Sequence, residues 1–176
     1  GRPVLSPPCK INDIAPDRSG AVWVATACDG IYRLRERHIQ AITHVEGRPL
    51  GAVYGMAEDH ARRLWLATLN HGVAVLEPDG TGRWIEGLDL PIGLHSAFAA
   101  PDGSVRIDRC RIGPSGQCAQ PDELPADIGP INRIGGFLAA PDGGLFLGGG
   151  ALWHQSPNGS WQLDASLPGL AGAGNA

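Results

Sequence analysis

The chain has no apolar run approaching the roughly 18 residues of a membrane span. It has no basic stripe: the formal net charge is −4, which argues against a nucleic-acid partner. No secretory leader is visible at the start. No C-x-x-C occurs, no His/Cys cluster has zinc-finger spacing, and H-E-x-x-H is absent. Neither G-x-S-x-G nor a phosphate loop is found; Gly148-Gly149-Gly150 lacks the following Lys-Ser/Thr and reads as a turn in a cramped place. No segment combines a 3.6-residue apolar period with caps, so almost no helix is expected. These absences leave metal, cofactor and nucleotide chemistry without a motif, and no cofactor is expected.

Four copies of one pattern are present instead. Ile11 to Asp17 leads to Ala21-Val22-Trp23-Val24-Ala25-Thr26, and Val53 to Asp59 leads to Leu64-Trp65-Leu66-Ala67-Thr68. Ser96 to Asp102 leads to Val105-Arg106-Ile107-Asp108, and Gly136 to Asp142 leads to Leu145-Phe146-Leu147-Gly148. Aligned on Trp23, Trp65, Arg106 and Phe146, the steps are 42, 41 and 40 residues. A period of this size made of short strands and turns indicates an all-β fold, a β-propeller. With 43% hydrophobic and 18% charged residues the chain is globular. Its 26 glycines and 15 prolines suit many tight turns.

The second copy shows the expected blade most clearly. Val53 to Glu58 is the inner strand and Leu64 to Thr68 the second, with Trp65 and Ala67 on one face and Leu64, Leu66 and Thr68 on the other. Asn70-His71-Gly72 is a turn, Val73 to Leu76 the third strand, and Asp79-Gly80 a hairpin turn before the outer strand, Gly82 to Glu86. Third strands recur at Ile31 to Leu34, Arg111-Ile112 and Leu152-Trp153. Further hairpin turns fall at Ser115-Gly116 and Asn158-Gly159, and Trp84, Cys118 and Trp161 are read as equivalent on the outer strands. The third copy is degenerate, since Arg106 replaces the aromatic, and Ala119 to Pro130 reads as a longer surface loop. Four antiparallel four-stranded blades are expected at about 10–50, 51–92, 93–131 and 132–170. Residues 1–9 read as the tail of a preceding blade or an extension, and 171–176 as a flexible tail.

The first two copies resemble the two-component regulator propeller repeat. The matching residues are Asp17 to Gly20, Val22-Trp23-Val24-Ala25-Thr26 and Gly30-Ile31-Tyr32, then Leu64-Trp65-Leu66-Ala67-Thr68 and Gly72-Val73. The later copies share only the Pro-Asp-Gly turn and the apolar pattern. The resemblance implies a periplasmic or secreted sensory module of a bacterial signalling protein. The family's propellers have seven or so blades, so a segment of a longer propeller is expected; a closed four-bladed ring and two copies completing each other are the alternatives.

In a propeller, the loops entering the inner strands and joining second to third strands share the face around the central channel, where ligands bind. The candidates there are Lys10, Asn12, Asp29, Tyr54, Asn70, His71, His95, Asp108, Arg109, Asn132 and Arg133. His71 and His95 suit ligand or acid–base roles, but no Glu joins them on that rim, so a non-enzymatic reading leads and a lyase-like enzyme trails. A protein-interaction scaffold is the other alternative. Partners are then an unknown small ligand or signalling domain, with a homo-oligomer as a further expectation. Asp17, Asp59, Asp102 and Asp142 recur in the first-to-second turns, where aspartate caps its own turn. Packing between blades is the expected role of the five tryptophans. The even cysteine count suggests two disulfides and an oxidising compartment: Cys9 with Cys28, and Cys110 with Cys118.

Overall fold

The computed structural model describes residues 9–35, 38–88, 96–100, 102–108, 110–113, 117–121, 124, 136–148 and 151–165. Its described residues form strands and turns without helix. Sixteen of the strands build four antiparallel four-stranded sheets, each in plain sequential order. The first sheet is β1 (Ile11–Pro16), β2 (Val22–Thr26), β3 (Ile31–Arg35) and β4 (His38–Ile42). A two-stranded hairpin follows, β5 (His44–Val45) and β6 (Arg48–Pro49). The second sheet is β7 (Val53–Glu58), β8 (Leu64–Thr68), β9 (Gly72–Leu76) and β10 (Gly82–Ile85). The third is β11 (Ala97–Ala99), β12 (Val105–Ile107), β13 (Cys110–Ile112) and β14 (Cys118–Pro121). The fourth is β15 (Gly136–Ala139), β16 (Leu145–Gly148), β17 (Leu152–Gln155) and β18 (Trp161–Ala165).

The inner strands stand side by side in chain order: β1 against β7, β7 against β11, β11 against β15. Comparable packing of β15 back onto β1 is absent among the described residues, so the sheets form an arc and not a closed ring. The core is therefore a series of seams. One face of the first sheet (Trp23, Ala25, Ile31) buries against Leu64, Leu66, Ala74 and Leu76 of the second. The other face of the second sheet (Trp65, Ala67, Val73, Val75) buries against Val105, Ile107, Cys110 and Ile112 of the third. Period-2 alternation explains this: each strand must satisfy two neighbours, so both faces are apolar.

The seams account for the expected roles of Trp23 and Trp65, which are 7% and 2% exposed. Trp84 differs. Its Nε1 donates to the Val45 carbonyl at 2.9 Å, and the Arg48 guanidinium lies 4.5 Å over its ring. The β5–β6 hairpin thus clamps the outer strand of the second sheet. Register separates Trp84 from its supposed equivalents: Trp161 pairs with Gln155 and Cys118 with Ile112, positions matching Gly82 opposite Leu76, whereas Trp84 pairs with Ala74. Ala119 to Pro121, read from sequence as loop, continue the outer strand β14. Proline is tolerated at such a strand end because an edge position need not donate to a ladder. The remainder of that loop, the Ser115-Gly116 turn, residues 1–8 and the tail 171–176 lie outside the described residues.

At the arc's axis the inner strands converge and side chains shrink. Asp13, Gly55 and Gly136 pair with Ala25, Ala67 and Gly148, each two residues beyond Trp23, Trp65 and Phe146. Ser96 and Asp108 hold the same place in the third sheet. A Cβ on Gly55 would stand 2.5 Å from the Ala97 amide nitrogen, so β7 and β11 approach as closely as glycine permits.

Candidate functional site

Two ends of the arc carry polar residues, and they differ in kind. At the channel end, Cys9 precedes β1 and Cys28 lies in the β2–β3 loop; the two form a disulfide with Cα atoms 5.9 Å apart. A second disulfide joins Cys110 of β13 to Cys118 of β14, Cα atoms 5.6 Å apart. Both pairings match the sequence expectation, and no free cysteine remains.

Several of the channel-end candidates are held by hydrogen bonds. Asn12 donates Nδ2–H to the Val53 carbonyl at 2.8 Å, stapling β1 to β7. Asp29 takes the Tyr32 hydroxyl hydrogen bond at 2.9 Å, and that bond raises the tyrosine's pKa. Asp108 is fully buried and accepts from both the amide and the hydroxyl of Ser96 at 2.8 Å. Its backbone takes a φ of 49°. Asn12 and Asp108 hold backbone groups, and Asp29 holds a side chain. Tyr54 sits half-buried in the irregular stretch of β7 between Val53 and Gly55. Lys10, Asn70 and His71 are exposed. The His71 ring lies edge-on to Trp84 of the outer strand, centroids 6.2 Å apart. His95, Arg109, Asn132 and Arg133 lie outside the described residues.

Sequence reasoning missed Asp13. Its Oδ2 accepts the Met56 amide at 3.0 Å and its Oδ1 the Ile14 amide at 2.8 Å. Burial raises its pKa, with the two amide bonds only partly opposing. Nothing in the repeat pattern marks it, because its counterparts are glycines and a serine.

At the opposite end, the four repeated aspartates do cap their turns, and they do more. Asp17 accepts from the Ser19 and Ala21 amides at 2.8 and 2.9 Å, from Trp23 Nε1 at 3.2 Å and from Arg33 at 2.9 Å. Asp59 accepts from the Arg63 amide at 2.9 Å, Arg63 Nε at 2.7 Å and Trp65 Nε1 at 2.9 Å. Asp102 holds Ser104 and Arg111, and Asp142 holds the Gly144 amide and His154. The first three aspartates thus each anchor an arginine and the fourth a histidine, and in the first two sheets the guanidinium lies over the tryptophan ring, Arg33 at 5.0 Å and Arg63 at 5.5 Å. Burial disfavours the charged form of Asp17 and Asp59, but the hydrogen bonds outweigh it and hold both pKa values below the usual carboxylate range. Among the described residues no three His, Cys, Asp or Glu gather as a metal site.

No family model matches the chain, and no curated protein does. Solved structures do. Virginiamycin B lyase from Staphylococcus aureus superposes with a TM-score of 0.71 at 17% identity, covering 94% of this chain and 58% of the lyase. The extracellular domain of BT4673 from B. thetaiotaomicron, named as a one component system, gives 0.67 at 19% identity, covering 89% of this chain and 24% of that one. A protein named as a gluconolactonase gives 0.73 at 15% identity, covering 90% and 64%. The chain spans less than two thirds of each. At such identities the likeness shows the fold alone: this chain has the antiparallel four-stranded sheets of a β-propeller.

Proposed function

We propose that the chain is a non-enzymatic, extracytoplasmic ligand-binding module of a bacterial signalling protein, periplasmic or secreted, and part of a larger propeller. The observation that carries this reading is the channel end itself. The Cys9–Cys28 disulfide, the Asn12 staple and the Asp108–Ser96 clamp make a rigid rim. On it Lys10, Asn70 and His71 remain exposed for a ligand. Disulfides fit an oxidising compartment, and the extracellular domain of BT4673 shares the fold. The edge-on packing of His71 against Trp84 supports binding over the acid–base role of a lyase-like site. A small-molecule thermal-shift screen tests it. A stabilising compound whose effect is lost on Asn70→Ala or His71→Ala supports the reading; turnover dependent on His71 or His95 replaces it with the enzyme.

A second reading, an interaction scaffold, draws on one observation. Ile14, Val22 and Ile39 are 58%, 38% and 44% exposed on the face of the first sheet turned away from the second. In the second and third sheets the corresponding face is covered by the preceding sheet. The occupant this reading names is the fourth sheet of a second copy, whose outward face carries Leu138 and Phe146. A monodisperse dimer that becomes monomeric on Val22→Glu supports it; a monomer at all concentrations removes it.

A further inference from the structure

Each turn from a first to a second strand places one residue in the left-handed region, two residues before the second strand begins. In the first, third and fourth sheets that residue is glycine: Gly20, Gly103 and Gly143, with φ of 82°, 83° and 87°. Their amides donate back across the turn, to the Asp17, Ala100 and Ala140 carbonyls at 3.1, 3.0 and 3.1 Å. In the second sheet Arg62 holds this place. Its amide donates to the Asp59 carbonyl at 3.0 Å, and its φ is 65°. A Cβ in this conformation crowds the backbone, and glycine relieves the crowding. The Arg62 side chain is exposed, and among the described residues it makes no hydrogen bond or ion pair that would offset the strain. A strained residue without a structural return is a pointer to function.

Arg62 lines a cleft at the turn end of the first seam, about 160 Å³ in volume. Trp23 and Ile42 of the first sheet and Leu64 and Leu76 of the second also line it. These four belong to the packed seam, and Trp23, Leu64 and Leu76 are buried. Arg35, at the end of β3, joins from the first sheet, exposed and held by the Ser19 hydroxyl at 3.1 Å. The cleft therefore has an apolar bottom and an arginine on the rim from each sheet.

Three carboxylates share the lining, and each already faces another arginine: Asp17 has Arg33 at 2.9 Å, Glu58 has Arg18 at 3.8 Å and Glu77 has Arg83 at 3.8 Å. Among the described residues no carboxylate pairs with Arg35 or Arg62.

We propose that the cleft between the first and second sheets binds a small monocarboxylate with a compact apolar tail. The tail rests on Trp23, Ile42, Leu64 and Leu76, and the carboxylate is taken at the rim by Arg35 and Arg62. Guanidinium groups suit the paired oxygens of a carboxylate. An apolar cavity of about 150 Å³ admits a benzene ring, so a ligand of about six to nine non-hydrogen atoms fits. Asp17, Glu58 and Glu77 disfavour a second negative charge on the ligand. The site lies at the turn end, away from the channel, and is independent of the channel-end ligand proposed above.

The test is calorimetric titration with benzoate and with isovalerate, ionic strength being held constant with sodium chloride. Benzyl alcohol, which has the ring without the charge, and inorganic phosphate, which has the charge without the tail, are the comparators. Saturable binding of at least one carboxylate is expected, about tenfold or more tighter than either comparator. Arg62→Gly restores the residue of the other three turns, so the melting temperature holds or rises while carboxylate binding weakens about tenfold or more. Arg35→Gln, at an exposed position, weakens it likewise and decides the matter should the first variant alter the turn. Failure of both carboxylates to bind saturably overturns the proposal. So does a comparator that binds as tightly as the carboxylates, or binding undiminished in Arg35→Gln.

Discussion

The Trp65 indole donates its Nε1–H to Asp59 Oδ2 at 2.9 Å, both residues being buried. A carboxylate at the end of one turn therefore fixes the orientation of the ring that fills the seam between the second and third sheets. Trp65→Phe keeps most of the apolar surface but removes the donor, leaving the buried Asp59 Oδ2 with the Arg63 Nε hydrogen bond alone. It should cost about 1–3 kcal/mol. Trp65→Ala adds the cavity and should cost about 3–5 kcal/mol. Urea unfolding of the two variants checks the split; a Trp65→Phe variant as stable as wild type would mean that the hydrogen bond contributes nothing.

The same carboxylates make stability acid-sensitive. Asp17 and Asp59 titrate below the ordinary aspartate value of 3.8 in the folded protein. Their contribution is full above that unfolded value and is lost as pH falls below it toward the folded one. Asp13 runs the other way, because burial raises its pKa and protonation relieves it. Asp59→Asn should be less stable than wild type at neutral pH, and should lose less on going from about pH 5 to about pH 2. Melting temperatures across that range provide the check; parallel curves would contradict it.

Reduction should destabilise the first sheet. The Cys9–Cys28 bridge spans 19 residues, and closing a loop of that size restricts the unfolded chain by about 3 kcal/mol. Intact mass after alkylation without reductant should show no modified thiol, and the melting temperature should fall with reductant. Four alkylated cysteines in the native protein would remove both bridges.

Close approach of the inner strands at Gly55 is a separate test of the arc. Gly55→Ala places a methyl group 2.5 Å from the Ala97 nitrogen and 2.8 Å from the Ser96 carbonyl carbon, so β7 and β11 must separate. A loss of about 1–3 kcal/mol is expected. Gly148→Ala serves as control, since its nearest neighbour among the described residues would be 3.9 Å away, and it should be near neutral. The two variants compared by thermal unfolding decide the point.

Strands, turns and seam faces were legible in the sequence because they are local. Alternation along Leu64 to Thr68 needs only the two-residue strand period, and the Asp-Gly turns need only φ and side-chain chemistry. Hence β7 and β8 fall where the pattern puts them, and Trp65 and Ala67 share a face apart from Leu64 and Leu66. Even the disulfide partners follow from which loops share an end of the fold.

What sequence could not give were relationships between sheets. Asn12 and Asp13 look like free polar residues until β7 lies beside them and offers the Val53 carbonyl and the Met56 amide. Asp108 looks like a rim ligand until Ser96 folds over it. His71 belongs to the channel-end loops by position, yet Trp84 of the outer strand takes its ring. Arg106 was visible as an exception to the aromatic rule, but its partner Gln155 lies 49 residues away. The repeat sequence determined each blade because strand periodicity and turn chemistry act over a few residues. Tertiary structure decided which polar groups are clamps and which stay free, because burial and hydrogen bonding are set by the neighbouring sheet.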